Sequence, residues 1–513
     1  MPRFFRLHSY PAAAVLVAFM TYSSAFAATV DRPNIVLAIS DDQSFPHTSA
    51  YGSKMVSTPA FDRVAGEGIL FTNAICASPG CSPCRAALLT GRHTWQIEHA
   101  GTHASSFSPK YVTFPDLLEK SGYFVGYTGK GWGPGKWEGF RPRNPAGPVF
   151  AGKKNDPPFK GISNNDYAGN FEGFLAKRPA GTPFCFWYGA TEPHRAYQEG
   201  AGLASGKKLE DAEVPAFLPD TPEIRSDILD YCTEIEWFDR HLGRMLKTLE
   251  EAGELENTLI IVTSDNGMPF PRAKANCYEY GVHMPLAVCW GAGAKGGRTV
   301  DDLVGFVDLT ATILDVAGVE HPGEYPLSGR SLRNLLESEK EGVVDPSRTG
   351  VYSARERHSS SRYDNLSYPQ RSLRTARYRY VRNFRPERWP AGAPQKFDKP
   401  GQLGPMHAAY HDIDGSPSLS YLVEHRDDPQ ISRYFHLAVD KRPAEEFFDI
   451  QADPACLTNL ASDPAHAVAL REHRERLESY LRETGDPRIL DGGEVFETYE
   501  RYSPIREFPK PQE

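Results

Sequence analysis

Pro33-Asn34-Ile35-Val36-Leu37-Ala38-Ile39-Ser40-Asp41-Asp42 is an unbroken apolar run that stops on two adjacent carboxylates. A run this short, without polar alternation, is the pattern of a strand buried on both faces of a parallel sheet. Leu259-Ile260-Ile261-Val262-Thr263-Ser264 followed by Asp265-Asn266-Gly267 repeats it, and Phe184-Cys185-Phe186-Trp187-Tyr188-Gly189-Ala190 repeats it without the acids. Between these runs, apolar residues at helical spacing (Ile228, Ile235, Phe238, Leu242, Met245, Leu249) predict a helix over 228–252, and 114–121 predicts a short one. Alternating strands and helices predict an α/β fold. In such sheets ligands gather beyond the carboxyl ends of the strands, which is where the acids fall.

The composition agrees with a folded, mildly acidic chain. Apolar residues are 40% and charged residues 24%, which excludes a disordered or collagenous polymer. A formal charge of −9 argues against nucleic acid as the main partner. Arg3 and Arg6, the apolar run Ala12 to Met20 and Ser24-Ala25-Phe26-Ala27-Ala28 together predict an export signal over 1–27, cleaved near Ala27. The run is too short to span a bilayer, so a periplasmic or secreted protein without a membrane span is expected. Eight scattered cysteines in 513 residues are no disulfide framework, and Cys185 and Cys289 sit in strand-like runs as packing residues.

The chemistry is concentrated in Cys81-Ser82-Pro83-Cys84-Arg85-Ala86-Ala87-Leu88-Leu89-Thr90-Gly91-Arg92. Taken as C-x-x-C, Cys81 and Cys84 are a redox pair in an oxidising compartment. Taken whole, C-x-P-x-R followed by L-T-G resembles the signature of the type I sulfatases, whose cysteine is oxidised to formylglycine by a maturation enzyme. That resemblance implies an alkaline-phosphatase-like fold: a large mixed sheet flanked by helices (28–365) and a smaller C-terminal α+β domain (366–513). It also implies that Cys81, once converted, provides a hydrated aldehyde as the oxygen nucleophile on sulfur.

Other blocks extend the resemblance. Asp41-Asp42 and Asp265-Asn266 match the family's metal ligands, with residue 81 completing the set. Oxygen donors select Ca²⁺ or Mg²⁺ over zinc, and the resemblance favours calcium. Arg85 would bridge the aldehyde hydrate and a metal-bound acid. Gly129-Lys130 matches a G-K block, with Lys130 on sulfate, although Trp132 stands where many members have histidine. That departure leaves one hydroxyl-orienting or proton-shuttling role open, and neither His93 nor His99 is assigned to it. Thr191-Glu192-Pro193-His194 matches a block in which His194 binds sulfate and protonates the leaving group. Lys274 to Gly281 matches K-x-x-x-Y-E-x-G, making Lys274 the second lysine on sulfate, with Arg272 an alternative.

Several segments resemble the sulfamidase branch of the family, which removes N-sulfate from glucosamine: Ser264 to Pro271, Tyr368-Pro369-Gln370-Arg371-Ser372, and Phe447-Phe448-Asp449-Ile450. That implies a sulfated saccharide substrate of heparin or heparan type. An O-sulfate of another polysaccharide, such as an algal glycan, is the alternative, and a phosphoesterase of the alkaline phosphatase superfamily is a further one. Residues 351–390 hold ten arginines against three acids. They read either as a solvated basic face or as a wall for a polyanionic glycan, with 374–382 as one basic strand. Trp132, Trp187 and Tyr188 would add surface for sugar rings, and Glu356 and His358 would contact the sugar.

Overall fold

A computed structural model describes residues 1–4 and 32–511. The apolar run and the Ala27 cleavage site of the expected export signal lie outside the described residues.

The large sheet contains β1 (Asn34–Ser40), β2 (Ile69–Ile75), β3 (Phe124–Gly129), β4 (Phe184–Gly189), β5 (Thr258–Ser264), β6 (His283–Cys289), β7 (Arg298–Val300) and β8 (Val304–Gly305). Its order is β3-β4-β1-β5-β6-β2-β7, with β8 also on β2. β1 is parallel to β4 and β5, and β3 to β4, while β6 runs antiparallel to both β5 and β2. The sheet is therefore mixed, with a single reversed strand in its middle. The carboxyl ends of β1 to β5 consequently lie on one edge, because reversing direction at β6 and again at β2 restores it.

Burial of both faces explains the unbroken apolar runs. Ile35, Leu37 and Ile39 pack into one core, whereas Val36 and Ala38 pack into the other. The first core is capped by the helices Cys81–Thr90 and Phe306–Val316, and the second by Pro59–Glu67 and the long helix Pro222–Glu251. That long helix starts upstream of the expected residue 228 because Thr221 caps its amino end and Pro222 occupies its first turn, where a missing N–H costs nothing.

A second sheet, order β14-β11-β10-β9, is antiparallel throughout. It comprises β9 (Val351–Arg355), β10 (Gln370–Arg374), β11 (Tyr378–Asn383) and β14 (Glu445–Asp449); β12 (Phe397–Lys399) and β13 (Gln402–Leu403) form a separate ribbon. β9 lies upstream of the expected boundary at residue 366. The segment 374–382, expected as one basic strand, is instead a hairpin that turns between β10 and β11. Its Arg371, Arg374 and Arg379 are buried. Arg371 pairs with Asp486 at 2.5 Å and Glu356 at 2.8 Å, and Arg379 pairs with Glu279 at 2.5 Å. Neither a solvated basic face nor a glycan wall describes this stretch, since most of its arginines neutralise acids that are distant in sequence. The helix Ala467–Glu483 closes the sheet through Leu470, Leu477 and Leu481. Among the described residues, no helix is long and apolar enough to cross a membrane.

Candidate active site

Five strand ends converge on one buried point. Asp41 and Asp42 follow β1, Asp265 and Asn266 follow β5, Lys130 follows β3, and His194 sits in the loop after β4. The loop after β2 leads into the fully buried helix Cys81–Thr90, whose first residue is Cys81. Gly91 ends that helix at φ 66°, in the left-handed region that suits glycine, and its N–H returns to the Ala87 carbonyl. Gly129, at φ 73°, ends β3 so close to β4 that an added Cβ would lie 2.0 Å from the Gly189 carbonyl. This close approach is what turns Lys130 into the site.

Arg85 is the hub. Its Nε donates to Asp265 Oδ2 at 2.6 Å, and Nη1 donates to the Lys130 carbonyl at 2.8 Å. Lys130 Nζ lies 2.5 Å from Asp41 Oδ2. The Asp42 N–H donates to Asp265 Oδ1 at 3.1 Å, and Asn266 Nδ2 donates to Asp42 Oδ1 at 2.7 Å. Lys274 Nζ donates to Asp42 at 2.6 Å and to Asp414 at 2.9 Å. His194 Nε2 stands 3.9 Å from Asp42 Oδ2. Asp41, Asp42, Asp265, Asn266, Lys130 and Lys274 are thus within one network. Asp42 adopts φ 74°, an unusual value for a non-glycine residue, and it is held there by these contacts.

The electrostatics follow from burial competing with proximity. Burial pushes the Asp41 carboxyl up, but Lys130 and Arg85 outweigh it and hold Asp41 ionised, well below the usual carboxylate range. Burial moves Asp265 the other way, to about 6, despite Arg85. Burial also pushes the Cys81 thiol up to about 11, with Lys130 opposing, so at neutral pH the unconverted side chain is a poor nucleophile.

Asp41, Asp42 and Asp265 bring carboxylate oxygens within 4.8 Å of one another. Asp41 Oδ1 and Asn266 Oδ1 are buried without a hydrogen-bond partner. Orphaned acceptors in a set made only of oxygens fit a hard divalent cation, which would satisfy both.

Several expectations need correction. Trp132 is buried, its Nε1 donating to the Ser82 carbonyl at 3.0 Å. Trp187 and Tyr188 are core residues on opposite faces of the sheet. None of the three offers a sugar-binding surface. Glu356 is clamped by Arg371 and Arg488, and Arg272 is spent on the carbonyls of Leu437 and Cys456. His93 bonds Tyr480 at 2.6 Å and His99 stacks on Tyr499. The histidine that meets residue 81 is His103, with Nε2 3.4 Å from Cys81 Sγ. His103 and Asp414 were not visible in the sequence, because each sits in a loop without periodicity or motif. All eight cysteines are unpaired and buried, so Cys81 and Cys84 form no disulfide.

The sulfatase family model matches residues 33–319, and the model for the C-terminal region of N-sulphoglucosamine sulphohydrolase matches 273–390. The chain is 29% identical to human N-sulphoglucosamine sulphohydrolase, covering 92% of this chain and 94% of that protein. It is 26% identical to an ulvan-active sulfatase of Formosa agariphila, covering 91% and 77%. Among solved structures it resembles BT4656 bound to D-glucosamine-2-N,6-O-disulfate (TM-score 0.62, 22% identity, 89% of this chain and 98% of that one). It also resembles BT1596, a 2-O GAG sulfatase (TM-score 0.62, 19% identity, 92% and 97%). These structures share the alkaline-phosphatase-like fold. With more than half of its length matched by the family model and its signature helix at the meeting point of five strand ends, this chain belongs to the sulfatase family.

Proposed function

We propose that this sulfatase removes sulfate from a sulfated glycan, with the N-sulfate of glucosamine in heparin- or heparan-type saccharides as its leading substrate. The observation that carries the reading is the convergence of residue 81, four oxygen-bearing side chains and two lysines at one buried point. Cys81, once converted to formylglycine by a maturation enzyme, would supply a hydrated aldehyde, an oxygen nucleophile for sulfur in place of the thiol. Calcium, or magnesium in its place, held by Asp41, Asp42, Asp265, Asn266 and residue 81, supplies positive charge for the sulfate oxygens.

The chain's own residues do the rest. Lys130 and Lys274 flank the sulfate position and offset its charge. Arg85 holds Asp265 and the Lys130 carbonyl, fixing where Lys130 can reach. His194, 37% exposed at the mouth of the site, gives a proton to the departing nitrogen or oxygen. The catalytic domain runs up to the start of the second sheet at β9, and the C-terminal region beyond it closes the pocket by bringing Asp414 to Lys274. The export signal assigns the protein to the periplasm or the exterior.

The N-sulfate reading is supported by the matched C-terminal model over 273–390 and by 92% coverage against the human sulphohydrolase. An O-sulfate of an algal polysaccharide is the second reading, supported by the similarity to the ulvan-active enzyme. The test is sulfate release from N-sulfated glucosamine, 6-O-sulfated glucosamine and an ulvan oligosaccharide by converted, calcium-loaded protein, with Cys81→Ala as blank. Release from the first alone supports the leading reading. Release only from an O-sulfated glycan replaces it with the second.

A further inference from the structure

The C-terminal stretch runs back past residue 81. The Tyr502 N–H donates to the Ala104 carbonyl at 2.7 Å, and Ser105 Oγ donates to the Glu500 carbonyl at 2.7 Å. The tail is therefore pinned to the loop that carries His103. Arg501 Nη1 lies 3.4 Å from the His358 carbonyl. The His358 ring is 4.9 Å from that of His103, which contacts Cys81.

Arg501 is half-buried, and among the described residues its guanidinium meets no carboxylate: its donors reach only the carbonyls of His358 and, at 3.5 Å, Pro504. Arg506 is exposed and likewise meets no carboxylate among the described residues, with Nη1 3.3 Å from Ser359 Oγ and 3.2 Å from the Ser360 carbonyl. Arg357 is buried, its Nε without a partner. The nearby acids are already engaged. Asp412 is held by Arg355 at 2.6 Å and Arg362 at 2.5 Å, and Glu500 accepts from the Tyr502 hydroxyl at 2.8 Å. His358 is 7% exposed and neither ring nitrogen has a hydrogen-bond partner, although Nδ1 stands 3.5 Å from Asp412. Burial and the repulsion of Arg357 and Arg506 outweigh the through-space attraction of Asp412 and lower Arg501 to about 10. Arg501 and Arg357 repel each other with only part of their charge offset through space by Asp412, Glu497 and Glu356, none of which bonds the Arg501 guanidinium, and an anionic ligand at Arg501 would relieve that repulsion.

We propose that Arg501, with Arg506 near it, forms an anion subsite beside the reacting centre that binds a second anionic group, sulfate or carboxylate, on the same saccharide. The proposal rests on the sulfated-glycan reading and narrows it to substrates with more than one negative charge. A guanidinium fork matches the paired oxygens of either group.

The test uses the full chain with Cys81→Ala, so that no probe is consumed. It is titrated calorimetrically with glucosamine N-sulfate, glucosamine N,6-disulfate and an N-sulfated disaccharide bearing a uronate. One doubly charged probe is expected to bind about tenfold more tightly than the singly charged one, and which probe does so identifies the second group. Arg501→Gln brings that ratio close to one, and Arg501→Lys retains part of it. The ratio is taken within each protein and is unaffected by the fraction folded. Equal binding of all three probes, or a ratio that Arg501→Gln leaves intact, overturns the subsite. Sulfate release by converted wild-type enzyme is measured in parallel. Release without a binding preference overturns the subsite alone, whereas a preference without release from any substrate overturns the hydrolytic reading and leaves the subsite standing.

Discussion

Lys274 Nζ sits 2.6 Å from Asp42 Oδ2, so an ammonium group fixes a carboxylate of the acidic cluster from the side opposite Asn266 Nδ2. The same ammonium reaches Asp414 at 2.9 Å. One lysine thus joins the end of β1 to the C-terminal region.

Lys274→Met removes the cation and leaves Asp42 and Asp414 facing each other. Sulfate release should fall by about 100-fold or more, because one positive contact to sulfate is lost. The metal-free protein should also lose about 3 kcal/mol, as is usual when one partner of a buried pair is removed. Thermal melting with and without calcium checks this, and calcium should restore part of the loss.

Asp41 is kept ionised by Lys130 and Arg85, so the site is charged and ready for a cation at neutral pH. Calcium at about 100 times its Kd should stabilise the wild type by about 2.7 kcal/mol. Asp41→Asn should abolish most of that shift in a calcium titration followed by melting temperature. An equal shift in both proteins would place the ion elsewhere.

His103 and Trp132 play different parts: one touches residue 81 and the other packs in the core. His103→Ala should reduce kcat by about 10- to 100-fold with little change in melting temperature, because the ring touches residue 81. Trp132→His should instead act on stability, by about 3 kcal/mol, since Trp132 packs edge-on to Phe107 in the core. Stopped-flow assays and calorimetric melting of the two variants distinguish the effects.

Glu497 gives a pH signature far from the chemistry. Burial raises its carboxyl, but Arg388 and Ser367 more than reverse this and lower it to about 2. A folded-state value below the unfolded one means that the contribution is complete above pH 4.5 and fades as pH falls toward 2. At neutral pH it amounts to about 3 kcal/mol. Glu497→Gln should therefore lower the neutral-pH melting temperature and flatten its decline between pH 4.5 and 2, as measured by a melting series.

The site was partly legible because its elements are local. Apolar runs ending in Asp41-Asp42 and Asp265-Asn266 announce buried strands with acids at their tips, and the signature from Cys81 to Arg92 is a single contiguous motif, although its helical form came from the structure. Arg379 and Glu279 show where that legibility stops. They are 100 positions apart, so a run of arginines that reads as a surface patch turns out to be a set of buried counter-charges. Trp187 and Tyr188 failed for a related reason. An aromatic residue in a strand looks the same whether its face is covered by a helix or open to a ligand.

By itself, the sequence determined the α/β alternation, the signature motif at Cys81 and the oxygen-bearing character of Asp41, Asp42, Asp265 and Asn266, because periodicity, charge and short motifs act over a few residues. Only the tertiary structure decided that His103 meets residue 81, that Asp414 shares Lys274 with Asp42, and that Arg501 returns to the site from the far end of the chain. Those contacts join loops without periodic pattern across separations as large as the 395 residues between Ser105 and Glu500. They arise when the sheet aligns its strand ends and the C-terminal region packs against them, and no local property of either segment encodes that meeting.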